Sequence, residues 1–106
     1  MVINQYNIYW TDLNPTIGSE VNKTRPCVVL SPNEMNHNIN TIIVAPVTST
    51  LKLYPTRILC NVGGKPGAIM LDQIRTVDKQ RVKGLLAQLT EADIKRVKSV
   101  ISQMLC

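Results

Sequence analysis

The sequence predicts a mainly β fold with added helices (α+β), a small β-barrel with a C-terminal amphipathic helix. Three observations lead there. Short extended runs separated by turn residues fill most of the chain up to Val77. Two of those runs, Cys27-Val28-Val29-Leu30 and Ile42-Ile43-Val44-Ala45, are continuously apolar, the mark of strands buried on both faces and therefore central. Near the end, Ile94, Val97, Ile101 and Met104 recur at spacings of three and four, which is helical periodicity. A chain of 106 residues has the size of a single domain, 1–106, and buries about two-thirds of the surface its unfolded form exposes. A second core has little room.

Taken in order, the strands are expected at Ile8 to Asp12, Cys27 to Ser31, Thr41 to Val47, Thr56 to Asn61, and Gly67 to Leu71 continuing toward Val77. Thr56 to Asn61 alternates less regularly than its neighbours. Asn14-Pro15, Ser31-Pro32-Asn33, Tyr54-Pro55 and Gly63-Gly64-Lys65-Pro66-Gly67 are turn clusters, their prolines and glycines presetting the backbone angles that close hairpins. Gly63-Gly64 reads as a plain turn, too short to cradle a phosphate. Val82 to Leu89 fits a helix as well as a strand, because Leu85, Leu86 and Leu89 satisfy both periods. Thr90 is the expected N-cap of the last helix, with Glu91 and Asp93 placing negative charge in its first turn. Lys95, Arg96, Lys98, Ser99 and Gln103 occupy the opposite face, so the apolar stripe is expected to pack on the barrel.

Composition narrows the function classes. Twelve Lys and Arg against seven acids leave a net charge of +5, which favours a polyanionic partner such as nucleic acid or an acidic protein segment. Hydrophobic residues at 44% and charged residues at 18% argue for a folded chain over a disordered one. Aromatic residues are confined to Trp10, Tyr6, Tyr9 and Tyr54, too few for single-strand binding by serial base stacking. Cys27, Cys60 and Cys106 are odd in number, widely spaced and outside any CxxC pair, so neither a disulfide framework nor a zinc site is signalled and no cofactor or metal is expected. Cys27 and Cys60 read as small buried residues and Cys106 as an exposed thiol. With no basic segment ahead of an apolar stretch and no run near the ~20 apolar residues that span a bilayer, neither export nor a membrane partner is expected, and the natural compartment is the cytoplasm.

The chemistry concentrates where Asn14-Pro15-Thr16-Ile17-Gly18-Ser19-Glu20 runs into Lys23-Thr24-Arg25-Pro26 and the first continuously apolar strand. An arginine at the start of such a strand is anchored by the fold yet reaches a solvent-facing groove, and its planar fork suits a phosphate diester. Thr48 stands just after Pro46-Val47, where the valine-rich strand runs out and the hydroxyl can turn toward that groove. His37, the only histidine, sits among Asn36, Asn38 and Asn40 and reads as part of an exposed turn.

The Asn-Pro-Thr-x-Gly-x-Glu loop, the Lys-Thr-Arg-Pro strand start, Ala45-Pro46-Val47-Thr48-Ser49 and Leu71-Asp72-Gln73-Ile74-Arg75-Thr76-Val77-Asp78, in that order, resemble the MazF/PemK (Kid) toxins, which cut RNA. The resemblance implies an SH3-like barrel of the CcdB/PemK type, and it tips Val82 to Leu89 toward a strand. It also implies a homodimer with an RNA groove across its interface, a single-stranded mRNA substrate, and a small acidic antitoxin that fills the same basic groove. The implied reaction is metal-independent and sequence-specific, using the ribose 2′-hydroxyl as internal nucleophile to leave a cyclic phosphate and a 5′-hydroxyl.

Within that resemblance Arg25 is the catalytic charge stabiliser and Thr48 its hydrogen-bonding partner toward phosphate or ribose, since an unperturbed hydroxyl is a poor base. A resting ion pair of Arg25 with Glu20 or Asp72 is compatible with that role. Glu20 either accepts a proton or holds Arg25; both readings stand, because Ser19 occupies the place where some relatives carry a histidine. Asn14, Thr16, Ser19, Lys23, Thr24, Ser49, Lys52, Asp72 and Gln73 are the expected RNA contacts, their amides and carboxylates being able to read unstacked base edges. Met70 replaces an arginine found in one branch of the family. Arg75, Thr76 and Asp78 are read chiefly as structural. The alternative is a non-enzymatic module on the same fold, either a gyrase poison or an RNA binder without turnover. Gyrase-directed relatives are expected to end in Trp-Gly-Ile, whereas this chain ends Ser102-Gln103-Met104-Leu105-Cys106 and keeps Arg25 with Thr48.

Overall fold

The two continuously apolar runs lie side by side at the centre of the sheet. The computed structural model describes residues 1–13, 24–52 and 54–106. Along the chain come β1 (Asn7–Asp12), β2 (Thr24–Val29), α1 (Asn33–Asn36), β3 (Thr41–Thr48), β4 (Arg57–Val62), β5 (Lys65–Met70), β6 (Arg75–Asp78), β7 (Val82–Gln88) and α2 (Glu91–Leu105). The strands pair antiparallel in the order β4-β5-β3-β2-β1-β7, with β6 joined to β3. Because successive side chains of a strand point to opposite faces, β2 and β3 feed two clusters at once. Val28, Ala45 and Val47 join Ile8, Ile69 and Leu71 on one face. Cys27, Val29, Ile42 and Val44 join Tyr9 and Val77 on the other.

β3 is the corner of the barrel. Thr41 to Val44 pair with β6, while Val47 and Thr48 pair with β5. The expected single strand from Gly67 toward Val77 is thereby corrected: it breaks at a 3₁₀ turn, Leu71–Gln73, between β5 and β6. The break lies beside Ala45 and Pro46, which pair with neither strand, and Pro46 has no N–H to give to a ladder. A second difference is α1, where a turn was expected. Its Asn36 is fully buried, donating from Nδ2 to the Ser31 carbonyl at 2.8 Å and accepting from the Ser31 hydroxyl. Composition hid this, because asparagine usually signals exposure and here its amide satisfies a buried backbone group. Cys60 is half-buried, not buried.

The ambiguous Val82 to Leu89 run is strand β7, pairing with β1. Thr90 caps α2 as expected, its Oγ1 accepting from the Asp93 N–H at 3.1 Å. Val97 is fully buried in the first cluster, with Ile94, Val100, Ile101 and Met104 packed around it. Arg96 on the outer side donates both to Asp93 and to the Leu59 carbonyl of β4, so the edge strand of the sheet is tied to the helix. Among the described residues no helix is long and apolar enough to cross a membrane.

Candidate active site

Two prolines shape the site. In the β2–β3 ladder Cys27 pairs with Pro46, Val28 with Ala45 and Val29 with Val44, and there the pairing stops. Pro26 and Pro46 both lack an N–H, so this end of the ladder has two donors fewer, and Val47 and Thr48 pair with β5 instead. Carrying the register two residues further sets Arg25 across from Thr48, on the face that holds Cys27 and Val44 below them. Where the strands stop bonding, a cleft of about 540 Å³ opens, and Arg25 and Thr48 both line it. That volume lies within the usual range of ligand pockets.

Hydroxyls form one side of the cleft and apolar groups much of the rest. Ser49 and Thr50 continue from Thr48, and the Thr48 Oγ1 accepts a hydrogen bond from the Thr50 backbone N–H at 3.2 Å. With a lone pair so engaged, the hydroxyl is held in place and keeps its own proton to donate. Trp10, Pro26, Pro66 and Leu86 supply the apolar surface, and Lys65 supplies a second cation. Among the described residues no carboxylate lines the cleft and none pairs with Arg25. The side chain of Arg25 is exposed at the strand start, so its charge faces solvent at the mouth. Below it the Cys27 thiol is pushed up to about 11, burial outweighing the opposing effects of the Thr11 hydroxyl and of Arg75 and Arg25. It is a neutral packing group, not a nucleophile.

The hairpin carrying Lys65 is held by geometry. Val62 pairs with Lys65 across a two-residue turn in which Gly63 and Gly64 have φ of +59° and +90°, a backbone that favours glycine at both places. The Asn61 side chain accepts from the Gly64 N–H at 2.8 Å. Two residues on, Gly67 lies against Val47: a Cβ there would come within 2.8 Å of Val47 Cγ1 and 3.1 Å of Val62 Cγ2. Close approach of β5 to β3 next to Thr48 therefore requires a glycine.

The expected site residues divide three ways. Arg25, Thr48 and Ser49 come together in the cleft. Thr24 is exposed beside Arg25, opposite Asp12, and Lys52 is exposed beyond Thr50, neither lining the cleft. Asp72 and Gln73 sit past the far end of β5 from Lys65, on the 3₁₀ turn. There Asp72 accepts from Thr56 Oγ1 at 3.1 Å and Arg57 Nε at 3.5 Å, while Arg57 stacks over the Tyr54 ring at 4.7 Å. Partial burial raises the Asp72 carboxyl, but its own backbone N–H, Arg57 and Thr56 outweigh that and leave it below the usual value. Asp72 is thus the partner of Arg57, and the pairing with Arg25 allowed by the sequence does not form. Asn14, Thr16, Ser19, Glu20 and Lys23 lie outside the described residues.

His37 is exposed as expected, its Nε2 at 3.0 Å from the Ile3 carbonyl and remote from the cleft. Sequence reasoning missed Trp10 and Lys65. The available signal for Lys65 was a cation set directly after a Gly-Gly turn, where a tight hairpin fixes the side chain's origin. Trp10 gave less signal, since an aromatic in a strand usually belongs to the core. Among the described residues no three His, Cys, Asp or Glu side chains group as metal ligands.

The same fold and site region occur in known proteins. Residues 4–105 match the family described as PemK-like, MazF-like toxin of type II toxin-antitoxin system. The endoribonuclease MazF of Staphylococcus saprophyticus is 34% identical over 101 residues, covering 90% of this chain and 84% of that protein. The endoribonuclease EndoA of Bacillus subtilis is 30% identical over 103 residues, covering 92% and 89%. Among solved structures, MazF from Deinococcus radiodurans superposes with a TM-score of 0.83 at 27% identity, covering 99% of this chain and 97% of that one. A MazE-MazF structure from the same organism gives 0.85 at 26% identity, with the same coverage.

Proposed function

The chain belongs to the PemK-like, MazF-like toxin family of type II toxin–antitoxin systems, whose relatives here are endoribonucleases, and on that premise we propose that it cuts single-stranded mRNA at a short sequence motif. The observation that carries this reading is the meeting of Arg25 and Thr48 in one cleft at the end of the β2–β3 ladder, with no described carboxylate beside them. A cleft lined by cations and hydroxyls fits a phosphodiester, which is anionic and offers only acceptors.

The reaction is attack of the ribose 2′-oxygen on the adjacent phosphorus. The bond from phosphorus to the 5′-oxygen breaks, the 2′-hydroxyl proton leaves to a base, and the departing 5′-oxygen takes up a proton, giving a cyclic phosphate and a 5′-hydroxyl. Arg25 holds two phosphate oxygens with its fork and offsets the charge that builds on the phosphorane. Thr48, held by the Thr50 N–H, donates its proton to the phosphate or orients the ribose. Glu20 is the base or the group that holds Arg25. None of these steps calls for a metal. Asn14, Thr16, Ser19, Lys23, Thr24, Ser49, Lys52, Asp72 and Gln73 are proposed to contact RNA. In a homodimer with a groove across its interface, Asp72 and Gln73 act from a wall other than the one Arg25 stands on.

Residues 1–106 act as one toxin domain in the cytoplasm, where mRNA is found. The regulatory partner is an acidic antitoxin that occupies the basic groove and orders as it binds; the MazE-MazF structure supports that expectation. The test is incubation of the purified protein with a long single-stranded RNA in excess EDTA, beside Arg25→Ala, with mapping of the fragment ends. Discrete cuts at a recurring short motif by the wild type alone are expected. Intact RNA with correctly folded wild type would overturn the reading and favour a binding module.

A further inference from the structure

Among the described residues Lys65 is a cation without a counterion in the cleft that already holds Arg25. Several other described cations are engaged. Arg57 and Arg96 pair with Asp72 and Asp93, Lys83 donates to the Gln80 carbonyl, and Lys98 lies over the Tyr6 ring. The Lys65 ammonium has no ion pair, hydrogen bond or ring contact among the described residues. Two like charges sharing a cleft repel each other, and burying an anion between them turns that repulsion into attraction.

Its placement is also fixed by the backbone. The Gly63-Gly64 turn and the Val62–Lys65 pairing leave the Lys65 Cα little freedom, and Gly67 lets β5 press against β3 beside Thr48. The side chain therefore starts from a rigid rim facing the Arg25–Thr48 pair. A lysine there acts as a compact point charge that needs no bidentate geometry, which suits a phosphate being held and not one being transformed.

We propose that Lys65 binds the phosphate next to the one Arg25 holds, so that an RNA strand runs along the cleft from Arg25 to the β4–β5 hairpin. This rests on the endoribonuclease reading above and adds a substrate-binding residue to it. A phosphate contact carries no base information, so Lys65 sets affinity and register while the cleavage motif is read elsewhere.

The test compares wild type, Lys65→Gln and Lys65→Arg in two arms. The first is cleavage of a short RNA bearing the mapped motif, over a range of salt concentrations. The second is binding, by fluorescence anisotropy, of the same RNA with a 2′-deoxy residue at the cut site. With Lys65→Gln, KM and Kd are expected to rise roughly tenfold while kcat and the motif stay unchanged. The slope of log Kd against log salt should fall by about 0.7, the value for one phosphate of a single strand that the protein no longer neutralises, and Lys65→Arg should restore both.

An unchanged Kd and salt slope in Lys65→Gln would overturn the proposal, and so would a loss of kcat with Kd retained. Unaltered RNA binding with weakened binding of the antitoxin would overturn it in favour of a protein-docking role. Since the binding arm needs no turnover, wild type that binds but fails to cut defeats the endoribonuclease reading while the Lys65 result still stands or falls by itself.

Discussion

Arg25 of β2 and Thr48 of β3 line one cleft, each two residues beyond Cys27–Pro46, the last pair at which these neighbouring strands are joined. A bonded ladder would have filled that gap with backbone; prolines at 26 and 46 leave it to side chains. The cleft is thus a consequence of where pairing ends, and Arg25 and Thr48 sit on strands anchored in the middle of the sheet.

Removing the Arg25 fork should cost the most activity. Arg25→Ala is expected to lower kcat about 100- to 1,000-fold, the usual loss when one donor to a developing anionic centre is deleted. Arg25→Lys should recover only part, since an ammonium cannot hold two oxygens in the same plane. Thr48→Val should lower kcat roughly tenfold, equivalent to the absence of one hydrogen bond, and Thr48→Ser should stay near wild type. Single-turnover kinetics on a motif-bearing RNA checks all four; a Thr48→Val enzyme of full activity would remove the hydroxyl from the mechanism.

Gly67→Ala should disturb both stability and the site. Its Cβ would stand 2.8 Å from Val47 Cγ1, next to Thr48, and overpacking of this kind costs about 1–3 kcal/mol. For a domain of this size that is a fall in Tm of roughly 4–8 °C for each kcal/mol. Thermal unfolding of Gly67→Ala, Val47→Ala and the double variant gives the check. The double variant should lose less than the two single losses added together, because removing the Val47 methyls clears the clash.

The Asp72–Arg57 pair should show itself in acid. The Asp72 pKa is lowered from 3.8 in the folded chain, so its contribution to stability is present above 3.8 and is lost as pH falls through the lower folded value. Asp72→Asn should therefore be less stable than wild type at neutral pH, with the gap closing below pH 3.8. Urea unfolding of both proteins from neutral pH down into acid measures it, and a gap that persists into acid would mean that the carboxylate charge is not what holds Arg57.

Thiol chemistry should follow burial. Cys106 is exposed, whereas the thiols of Cys27 and Cys60 are pushed up to about 11, burial being the leading cause for each. In mildly alkaline buffer an alkylating reagent should modify Cys106 well before the other two, as mass spectrometry of the labelled peptides will show. Folded thiols that ionise later than unfolded ones contribute stability that is fully present below pH 9.0 and is lost as pH rises from 9.0 toward 11, because only the unfolded chain gains from ionising there. The sign follows from proton counting: above 9.0 the folded state binds the extra proton, so the unfolded state is favoured as pH rises and the neutral-thiol advantage is lost toward 11. Cys60→Ala should flatten that alkaline fall.

Much of this was legible in the chain itself. Continuous apolarity in Cys27-Val28-Val29 and Ile42-Ile43-Val44-Ala45 meant burial on both faces, and both became central strands. Thr90 followed by Glu91 and Asp93 meant a helix start, because a side-chain oxygen there meets an unpaired N–H. The break between β5 and β6 was not legible, since Leu71 prolongs the apolar run of Ala68, Ile69 and Met70 and the change of pairing along β3 that ends the strand leaves no local signal. Neither was α1, whose Asn36 is buried through a partner, Ser31, that composition does not reveal.

By itself the sequence determined the central strands, the terminal helix, the positive charge and the two residues that meet in the cleft. These depend on local periodicity, capping and side-chain chemistry, which act over a few neighbouring positions. Only the tertiary structure decided that Asp72 belongs to Arg57, that Lys65 shares the cleft of Arg25, and that Gly67 is needed beside Thr48. Those facts depend on register and on the approach of strands distant in sequence, and pairwise distances between such strands are set by the packing of the whole sheet.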